Sequence, residues 1–425
     1  MEWIETTIGE YCPFSYGKAL PQTKRVKGNY PVYGSNGIVG YHKTPSVQSH
    51  GVIIGRKGSL GAIHLSLTPF WAIDTSFYVI KESILELKFT YFLLQTLGLH
   101  EMNSDSAVPG LNRDNAHSVR IRIPKLQSDR EKIGEYLSIF DNKIALNTQT
   151  NQTLEAIAQA IFKHWFIDFA PVHAKAEVLA AGGSAEDAEL AAMASLSGKT
   201  PDAITALAQS DPDAYQTLRQ TAQAFPSAFT DSELGLVSEG WEVKPLIDQF
   251  DFQGGSQPPK SEHIYEKKEG YVRFIQNRDY ANENHKTYIP VSKKNKLCSE
   301  TDILMDKYGE AGKVRFGISG AYNVALAKIK PKNILFKEFL RWYFMQKKTQ
   351  EFLFSASLAS TRSSLNSKTF IGMNIYIPTN NVLSAFNTIA EKYIQHTLNL
   401  RKENRTLSKV RDLLLPKLLN GELTP

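Results

Sequence analysis

Cysteine is nearly absent from this chain of 425 residues. Only Cys12 and Cys298 occur, far apart and without Cys or His neighbours at ligand spacing, so the sequence predicts neither a disulfide framework nor a zinc site. This usage favours a reducing compartment, the cytoplasm. Long apolar runs are also missing, and the first residues lack a basic patch followed by an apolar stretch. We therefore expect neither a signal peptide nor a membrane span.

Several catalytic motifs are missing as well. An amino-group methyltransferase is expected to carry Asn or Asp before Pro-Pro and an aromatic residue, whereas the Pro-Pro pair here lies between Gln257 and Lys260. A phosphate-binding loop needs Ser or Thr after Gly-Lys, but Val314 follows Lys313. The ten His residues show no metal-ligand spacing. The sequence therefore predicts a chain without catalytic residues, metal or cofactor of its own.

The composition is that of a globular protein, with 42% hydrophobic and 22% charged residues, and the length suggests about three folded units. Charge is unevenly distributed. Residues 1–126 carry 13 Lys and Arg against 9 Asp and Glu, and residues 241–380 carry 22 against 14. Residues 167–240 carry 3 against 11, and 17 of the 59 residues from 170 to 228 are Ala. Two basic blocks around an acidic spacer favour a polyanionic partner.

The second half of the chain repeats the first at an offset near 253. From Ile133 to Trp165, residues recur in alternating steps of four and three, the heptad pattern of a coiled coil. In the repeat, Asn151 corresponds to Asn404. Because Asn in a seam typically fixes register at a cost in stability, these positions predict two helices paired with each other; the alternative is a helix packed on its own domain. The predicted seam residues are Ile133, Leu137, Phe140, Ile144, Asn151, Leu154, Ile161, Phe386, Tyr393, Leu400, Asn404, Leu407 and Leu414.

Shorter matches precede each predicted helix. Residues 119–124 (VRIRIP) and 374–378 (NIYIP) are strand-like, and both end in Ile-Pro. Residues 52–63 (VIIGRKGSLGAI) and 303–314 (ILMDKYGEAGKV) each contain an apolar run, a basic residue and a Gly-x-x-Gly turn. Runs of β-branched and aromatic residues, punctuated by Gly, Asn and Pro, predict mostly short strands and turns in both globular parts.

These features together resemble the specificity subunit of type I restriction-modification systems over essentially the whole chain. Besides the paired Gly-x-x-Gly turns, the resemblance rests on three segments. Residues 30–41 (YPVYGSNGIVGY) look like the opening of a target recognition domain. Residues 162–175 (FKHWFIDFAPVHAK) with 232–245 (SELGLVSEGWEVKP) look like the linker into a second one, and residues 413–423 (LLLPKLLNGEL) resemble the closing motif of the family.

The resemblance implies an α+β fold in which two pseudo-repeated, strand-rich target recognition domains are joined by two long antiparallel coiled-coil helices. The seam would span roughly 48 Å at ~1.5 Å per residue, more than the ~34 Å of one DNA turn, so the helices could act as a ruler between two half-sites. The role of the Ala-rich insert is open. The expected boundaries are 1–126 for the first recognition domain, 127–166 for the first spacer helix, 167–238 for the acidic Ala-rich linker, 239–380 for the second recognition domain, and 381–425 for the second spacer helix and tail.

The resemblance also implies a non-catalytic subunit that reads a bipartite, asymmetric target on double-stranded DNA. Its implied partners are two copies of a modification (methyltransferase) subunit and an ATP-dependent restriction subunit. S-adenosylmethionine, ATP and Mg²⁺ are expected on those partners and not on this chain. Two alternatives stay open: a self-contained nuclease, for which Asp74 and residues 86–88 offer a loose carboxylate set, and a coiled-coil scaffold that never contacts DNA.

Three regions in each half carry residue types suited to DNA. Lys and Arg beside turns suit phosphates, as we predict for Lys57 and Lys313, whereas loop Asn suits adenine, as we predict for Asn112 and Asn366. For any single residue named here, the alternative is that it belongs to an ordinary surface turn and does not contact DNA. The candidates in the first half are Asn36, Arg56, Lys57, Ser59, Asn112 and Arg113, and those in the second half are Gln276, Asn277, Arg278, Lys307, Lys313, Arg315, Thr361, Arg362 and Asn366.

Overall fold

The computed structural model describes residues 1–102, 110–281, 285–358 and 364–425. The chain divides into two units, Met1–Gln149 with Arg401–Pro425 and Thr150–Leu400. Each unit combines short strands with part of two long helices, which confirms the expected α+β class. No helix in the described part of the chain is both long enough and apolar enough to span a membrane.

The first unit contains three small sheets. Their orders are β1-β9, β2-β8-β5-β6 and β4-β3-β7, and all pairs are antiparallel except β3 with β7. The strands are β1 Trp3–Thr7, β2 Ser15–Tyr16, β3 Tyr30–Gly34, β4 Gly37–His42, β5 Gly51–Gly55, β6 Ile63–Ser66, β7 Trp71–Ala72, β8 Ser76–Val79 and β9 Arg120–Pro124. The helices are α1 Ile8–Tyr11, α2 Ile84–Gln95, α3 Arg113–His117 and α4 Gln127–Phe166.

The core of the first unit forms around β5. All five residues of β5 are buried, as expected for a strand that is covered on both faces and reads as a continuous apolar run. Helix α2 packs beside it and begins after Ser83, whose hydroxyl accepts the main-chain N–H of Glu86 at 3.3 Å. The C-terminal helix completes this core with three leucines, Leu415, Leu418 and Leu419.

In the second unit, the last part of α4 is followed by the Ala-rich insert, which folds into helices and a hairpin. The helices are α5 Ala170–Ala180, α6 Ala185–Ser197, α7 Pro201–Ser210 and α8 Pro212–Ala224, and the hairpin is β10 Phe229–Ser232 with β11 Gly235–Ser238. Helices α6, α7 and α8 begin after the capping residues Ser184, Thr200 and Asp211. The insert has its own small core around Met193 and joins the main core of the unit through Phe225. It is therefore a folded part of the second unit.

The remaining strands of the second unit reproduce the sheets of the first. The orders β12-β21, β13-β20-β17-β18 and β15-β14-β19 correspond to β1-β9, β2-β8-β5-β6 and β4-β3-β7, and β14 pairs parallel with β19 as β3 does with β7; β16 is added beside β19. The strands are β12 Glu242–Pro245, β13 Phe250–Gly254, β14 Tyr271–Ile275, β15 Thr287–Pro290, β16 Leu297–Cys298, β17 Ile303–Asp306, β18 Val314–Arg315, β19 Gly320–Tyr322, β20 Leu326–Pro331 and β21 Asn374–Ile377. The helices are α9 Lys337–Met345, α10 Lys347–Leu358 and α11 Asn380–Leu419.

Helices α4 and α11, of 40 residues each, pack antiparallel within each unit. In the first unit Arg411 forms an ion pair with Asp141, and Asn147 donates to Oδ1 of Asn404 at 2.8 Å. In the second unit the rings of Phe162 and Phe386 are 5.9 Å apart. All the predicted seam residues are buried or partly buried: Ile133, Leu137 and Phe386 are buried, and Phe140, Ile144, Asn151, Leu154, Ile161, Tyr393, Leu400, Asn404, Leu407 and Leu414 are partly buried.

The two repeat-equivalent asparagines do not face each other. Antiparallel pairing places Asn147, and not Asn151, opposite Asn404. The Nδ2 of Asn147 also donates to Glu403 at 2.9 Å, and that carboxylate forms an ion pair with Lys143 at 3.5 Å. The Oδ1 of Asn151 is buried and accepts no hydrogen bond from any residue that the structure describes. These polar contacts of Asn147 with α11 lie in the first unit.

Candidate nucleic-acid interface

The described parts of three loops in the first unit lie side by side: the β3–β4 hairpin tip, the turn between β5 and β6, and the end of the loop before α3. The turn between β5 and β6 needs left-handed glycines, since Gly58 and Gly61 have φ of +80° and +64°. Its main chain is tied to the loop before α3, because Leu111 donates to the carbonyl of Arg56 at 2.9 Å. The β3–β4 hairpin tip is close as well: a Cβ built on Gly55 would lie 3.0 Å from the carbonyl oxygen of Ser35. The fold thus brings the three predicted regions together.

The second domain repeats this arrangement. Gly309 and Gly312 have φ of +73° and +92° in the turn between β17 and β18, and Leu365 donates to the carbonyl of Lys307 at 3.1 Å. The short 3₁₀ turn Asn277–Tyr280 follows β14 as the hairpin tip follows β3, and the ring of Tyr280 lies 5.5 Å from the guanidinium carbon of Arg315. The same three regions are therefore neighbours in both domains.

Arginine side chains in the first domain are held by an aromatic ring. The guanidinium carbons of Arg56 and Arg113 lie 5.1 and 4.9 Å from the ring centre of Tyr16, which is 48% exposed. Arg56 also donates to the carbonyl of Asp74 at 3.2 Å. Cation–π contacts of this kind fix the direction of a guanidinium. Nothing in the sequence marked Tyr16, because its position in the edge strand β2 becomes visible only in the fold.

The other candidates of the first domain differ in exposure. Asn36 is exposed at the tip of the β3–β4 hairpin, and Lys57 is exposed beside Gly58, whereas Ser59 is partly buried in the same turn. Among the described residues, no carboxylate lies within ion-pair distance of Lys57. A free ammonium group on a rigid turn is suited to a phosphate.

The two predicted adenine readers have a structural role. Asn112 caps α3, and its Oδ1 accepts the main-chain N–H groups of Asp114 and Asn115 at 2.9 and 3.1 Å. Asn366 caps the next turn in the second domain, accepting from Lys368 at 2.9 Å. A bidentate contact with adenine uses both the oxygen and the amide nitrogen of Asn. Capping and base reading therefore compete for Oδ1, and the base-reading role stays a prediction.

Acidic residues neutralise part of the basic turn in the second domain. Arg315 donates to Asp306 at 2.7 Å and to Glu310 at 2.6 Å, while Lys313 donates to the other oxygen of Glu310 at 2.6 Å. These hydrogen bonds, that from Lys313 above all, lower the pKa of Glu310. Lys313 and Arg315 are thus less available to a phosphate than their sequence positions suggested.

The remaining candidates lie in or near the same region. Gln276 joins a capping box with Asp279, Asn277 is partly buried, and Arg278 is exposed. Lys307 is partly buried, and its ammonium nitrogen lies 5.6 Å from the ring centre of Tyr308. Thr361 and Arg362, together with residues 104–109 of the loop before α3, lie outside the described residues. Within the described residues, no group of three or more His, Cys, Asp or Glu could hold a metal ion.

Comparison with known proteins identifies the family. The type I restriction modification DNA specificity domain matches residues 1–156 and 238–398, and the gap between these ranges contains α5 to α8. The HindI specificity subunit of Haemophilus influenzae is 34% identical over 387 residues, covering 83% of this chain and 81% of the relative. The MjaIX specificity subunit of Methanocaldococcus jannaschii is 24% identical over 392 residues, covering 88% and 77%.

A solved structure has the same fold. The type I restriction-modification S subunit from M. genitalium matches 99% of this chain and 96% of its own, with a TM-score of 0.54 and 15% identity. The matching family model and the HindI relative confirm the resemblance predicted from sequence, and the nuclease and scaffold alternatives gain no support. The matched domain is a DNA specificity domain and not a catalytic one, so the chain itself is not an enzyme. The chain belongs to the family of type I restriction-modification DNA specificity subunits.

Proposed function

We propose that this specificity subunit reads a bipartite, asymmetric DNA target, with one half-site for each recognition domain. The observation that supports this is the repeated group of three neighbouring loops, built around Gly58 in one domain and Gly309 in the other. The equivalent loops differ in sequence, since Arg56-Lys57 in the first turn corresponds to Lys307-Tyr308 in the second. Different side chains on equivalent loops select different bases, so the two half-sites should differ.

The partners and cofactors follow from the same proposal. The chain is part of a type I restriction-modification assembly, and we infer that it binds two modification subunits and a restriction subunit. S-adenosylmethionine would be bound by the modification subunits, and ATP with Mg²⁺ by the restriction subunit. The chain's own contribution is to hold the DNA and to set which adenines are methylated.

Mapping of methylated adenines tests this function. The chain is expressed with its modification subunit in cells without other methyltransferases, and the methylated sites are sequenced. The expected result is one motif with two defined segments separated by a fixed number of unspecified base pairs. Methylation without sequence preference, or at a continuous motif, would contradict the proposal.

DNA binding by the chain alone supplies a second measurement. We expect weak binding with little sequence preference, because the two basic blocks are moderate and no helix is strongly basic. Affinity should fall steeply as salt rises, since the contacts are mainly to phosphates. Nanomolar, sequence-selective binding by the chain alone at physiological salt would show that the modification subunits are not needed for selection.

A further inference from the structure

We propose that Glu310 reads a cytosine in the half-site bound by the second recognition domain. This inference rests on the proposed DNA-reading function and adds a specificity-determining residue to it. Glu310 lies at the tip of the turn between β17 and β18, within the group of loops described above. Its side chain is 61% exposed, so its carboxylate is open to a ligand.

The main chain around Glu310 is rigid. Asp306 donates to the carbonyl of Lys313 at 2.9 Å, Gly312 donates back to Asp306 at 2.9 Å, and Lys313 donates to the carbonyl of Glu310 at 3.0 Å. Beneath the turn, a Cβ on Gly312 would lie only 2.8 Å from Cβ of Leu353, so the turn is packed closely on α10. The Glu310 carboxylate therefore projects from a fixed backbone.

The carboxylate is also fixed at both oxygens. Oε1 accepts from Lys313 and Oε2 accepts from Arg315, each at 2.6 Å. Arg315 is only 14% exposed and is itself held by two hydrogen bonds to the buried Asp306, at 3.0 and 2.7 Å. Each carboxylate oxygen has two acceptor positions, so both oxygens can still accept another hydrogen bond. A preorganised acceptor of this kind is what a base-reading contact needs.

The charge of this group decides which ligand fits. A lone carboxylate beside DNA is repelled by phosphates, but two carboxylates and two cations, Asp306, Glu310, Lys313 and Arg315, form a neutral group. Glu310 is the most exposed of these side chains, at 61% against 44% for Lys313 and 14% for Arg315. Its carboxylate is an acceptor, so the complementary partner is an N–H donor. Cytosine offers its N4 amino group in the major groove, whereas adenine places the acceptor N7 beside its N6 donor, where it would repel a carboxylate. Cytosine is therefore the favoured base.

The first domain has no equivalent of this reader. At the repeat offset of 251, Glu310 corresponds to Ser59, Lys313 to Ala62 and Arg315 to His64. The effect of Glu310 should thus be confined to the second half-site. The first half-site then serves as an internal control for folding and for assembly.

The test compares methylation motifs directed by the full chain, expressed with its modification subunit, for the wild type, Glu310→Ala and Glu310→Gln. We expect the wild-type motif to require a C·G pair in the second half-site. Glu310→Ala should lower discrimination at that pair by roughly fivefold to a hundredfold. Glu310→Gln should shift the preference towards adenine, because Gln accepts from N6 and donates to N7. Glu269→Gln, an exposed carboxylate of the same domain, removes the same charge and should leave the motif unchanged.

Three results would overturn the inference: a wild-type second half-site without a required C·G pair, an unchanged motif in both variants, or equally tighter binding of all sequences by Glu310→Ala. The last result would mean that Glu310 is only a counter-ion that competes with phosphates for Lys313 and Arg315. A wild-type chain that directs no selective methylation would instead contradict the proposed function itself. Failure of the inference and failure of the function are thus separate outcomes.

Discussion

At the scale of single residues, the two lysines that were predicted to bind phosphates are not equivalent. Lys57 is exposed without a carboxylate in ion-pair reach among the described residues, whereas Lys313 is held by Glu310 at 2.6 Å. Contact with a phosphate would cost Lys313 this existing partner. The two residues therefore lie beside the Gly-x-x-Gly turn of their own domain, at positions that are not equivalent in the repeat, and they differ in what they can offer DNA.

We expect Lys57→Ala to weaken binding of all DNA sequences and to reduce the slope of log affinity against log salt by about 1. Lys313→Ala should also weaken binding of all sequences, but by less, since Glu310 already offsets its charge. Titrations of both variants at several salt concentrations, with the modification subunit present, measure the difference. An equal or larger loss for Lys313→Ala would show that the ion pair opens on DNA.

Tyr16 should position Arg56 and Arg113. We expect Tyr16→Ala to weaken recognition of the first half-site by about 0.5–2 kcal/mol, because each exposed cation–π contact contributes roughly 0.5–1 kcal/mol. Tyr16→Phe is the matched control, since it keeps the ring and should bind as the wild type does. Competition binding with DNA altered in one half-site measures the effect. Equal losses for the Ala and Phe variants would contradict a role for the ring.

Asn112 allows capping and base reading to be separated. Asn112→Ala should relax selection at one base pair of the first half-site by roughly 1–3 kcal/mol, and it also removes the cap of α3, at a cost of about 1 kcal/mol in stability. Asn112→Ser keeps a capping oxygen and lacks the amide. If Asn112 reads a base, Asn112→Ser should lose selectivity with little change in thermal unfolding. If Asn112→Ser keeps full selectivity, capping is the only role of Asn112. The Asn366→Ser variant tests Asn366 in the second half-site in the same way.

At the scale of secondary-structure elements, the sequence predicted those parts of the fold that local patterns determine. The heptads predicted long helices, observed as α4 and α11, and the Gly-x-x-Gly turns lie where strands end in both domains. The sequence did not predict that Asn147 pairs with Asn404. The repeat matches the two helices residue by residue in the same direction, whereas in the structure they pack in opposite directions. Long-range pairing decides such contacts.

The candidate site was predictable as regions and less so as residues. One of the three loops in each domain follows β3 or β14. Tyr33 and Ile275 hold equivalent places in these strands, yet they lie 242 residues apart and not near 253. Because insertions change the spacing, comparing the two halves of the sequence at a single offset does not show this match. The roles of Tyr16 and Glu310 depend on neighbours that are distant in the chain or lie across a turn. In addition, the presence of a Lys or Arg in the sequence does not reveal whether a carboxylate already forms an ion pair with it.

At the scale of the whole molecule, the second half of the chain repeats the sequence pattern and the sheet orders of the first. Subtracting 253 from the three leucines that α11 contributes to the first core gives Phe162, Trp165 and Phe166. In a fragment of residues 1–171 these aromatic residues from a second copy could take the places of Leu415, Leu418 and Leu419. Likewise Asn147 of each copy would face Asn151 of the other.

We therefore expect residues 1–171 to form a homodimer and, with the modification subunit, to methylate an inverted repeat of the first half-site. The homodimer should be weaker than the native pairing, because Arg411 and Glu403 are replaced by Ala158 and Thr150, which cannot pair with Asp141 and Lys143. Sedimentation of the fragment, followed by methylation mapping, tests this. A monomer that directs no methylation would contradict the duplicated-seam model.

The central claim is that each recognition domain reads its own half of the target, and paired loop variants test it most directly. One variant combines Arg56→Ala with Asn112→Ser, and the other combines Glu310→Ala with Asn366→Ser. Each is expressed with the modification subunit, and its methylated sites are mapped beside those of the wild type. The first variant should lose bases from one half of the motif only, and the second from the other half, with the spacing between halves unchanged. Loss of the same positions in both variants, or relaxation of the whole motif in either, would contradict the claim.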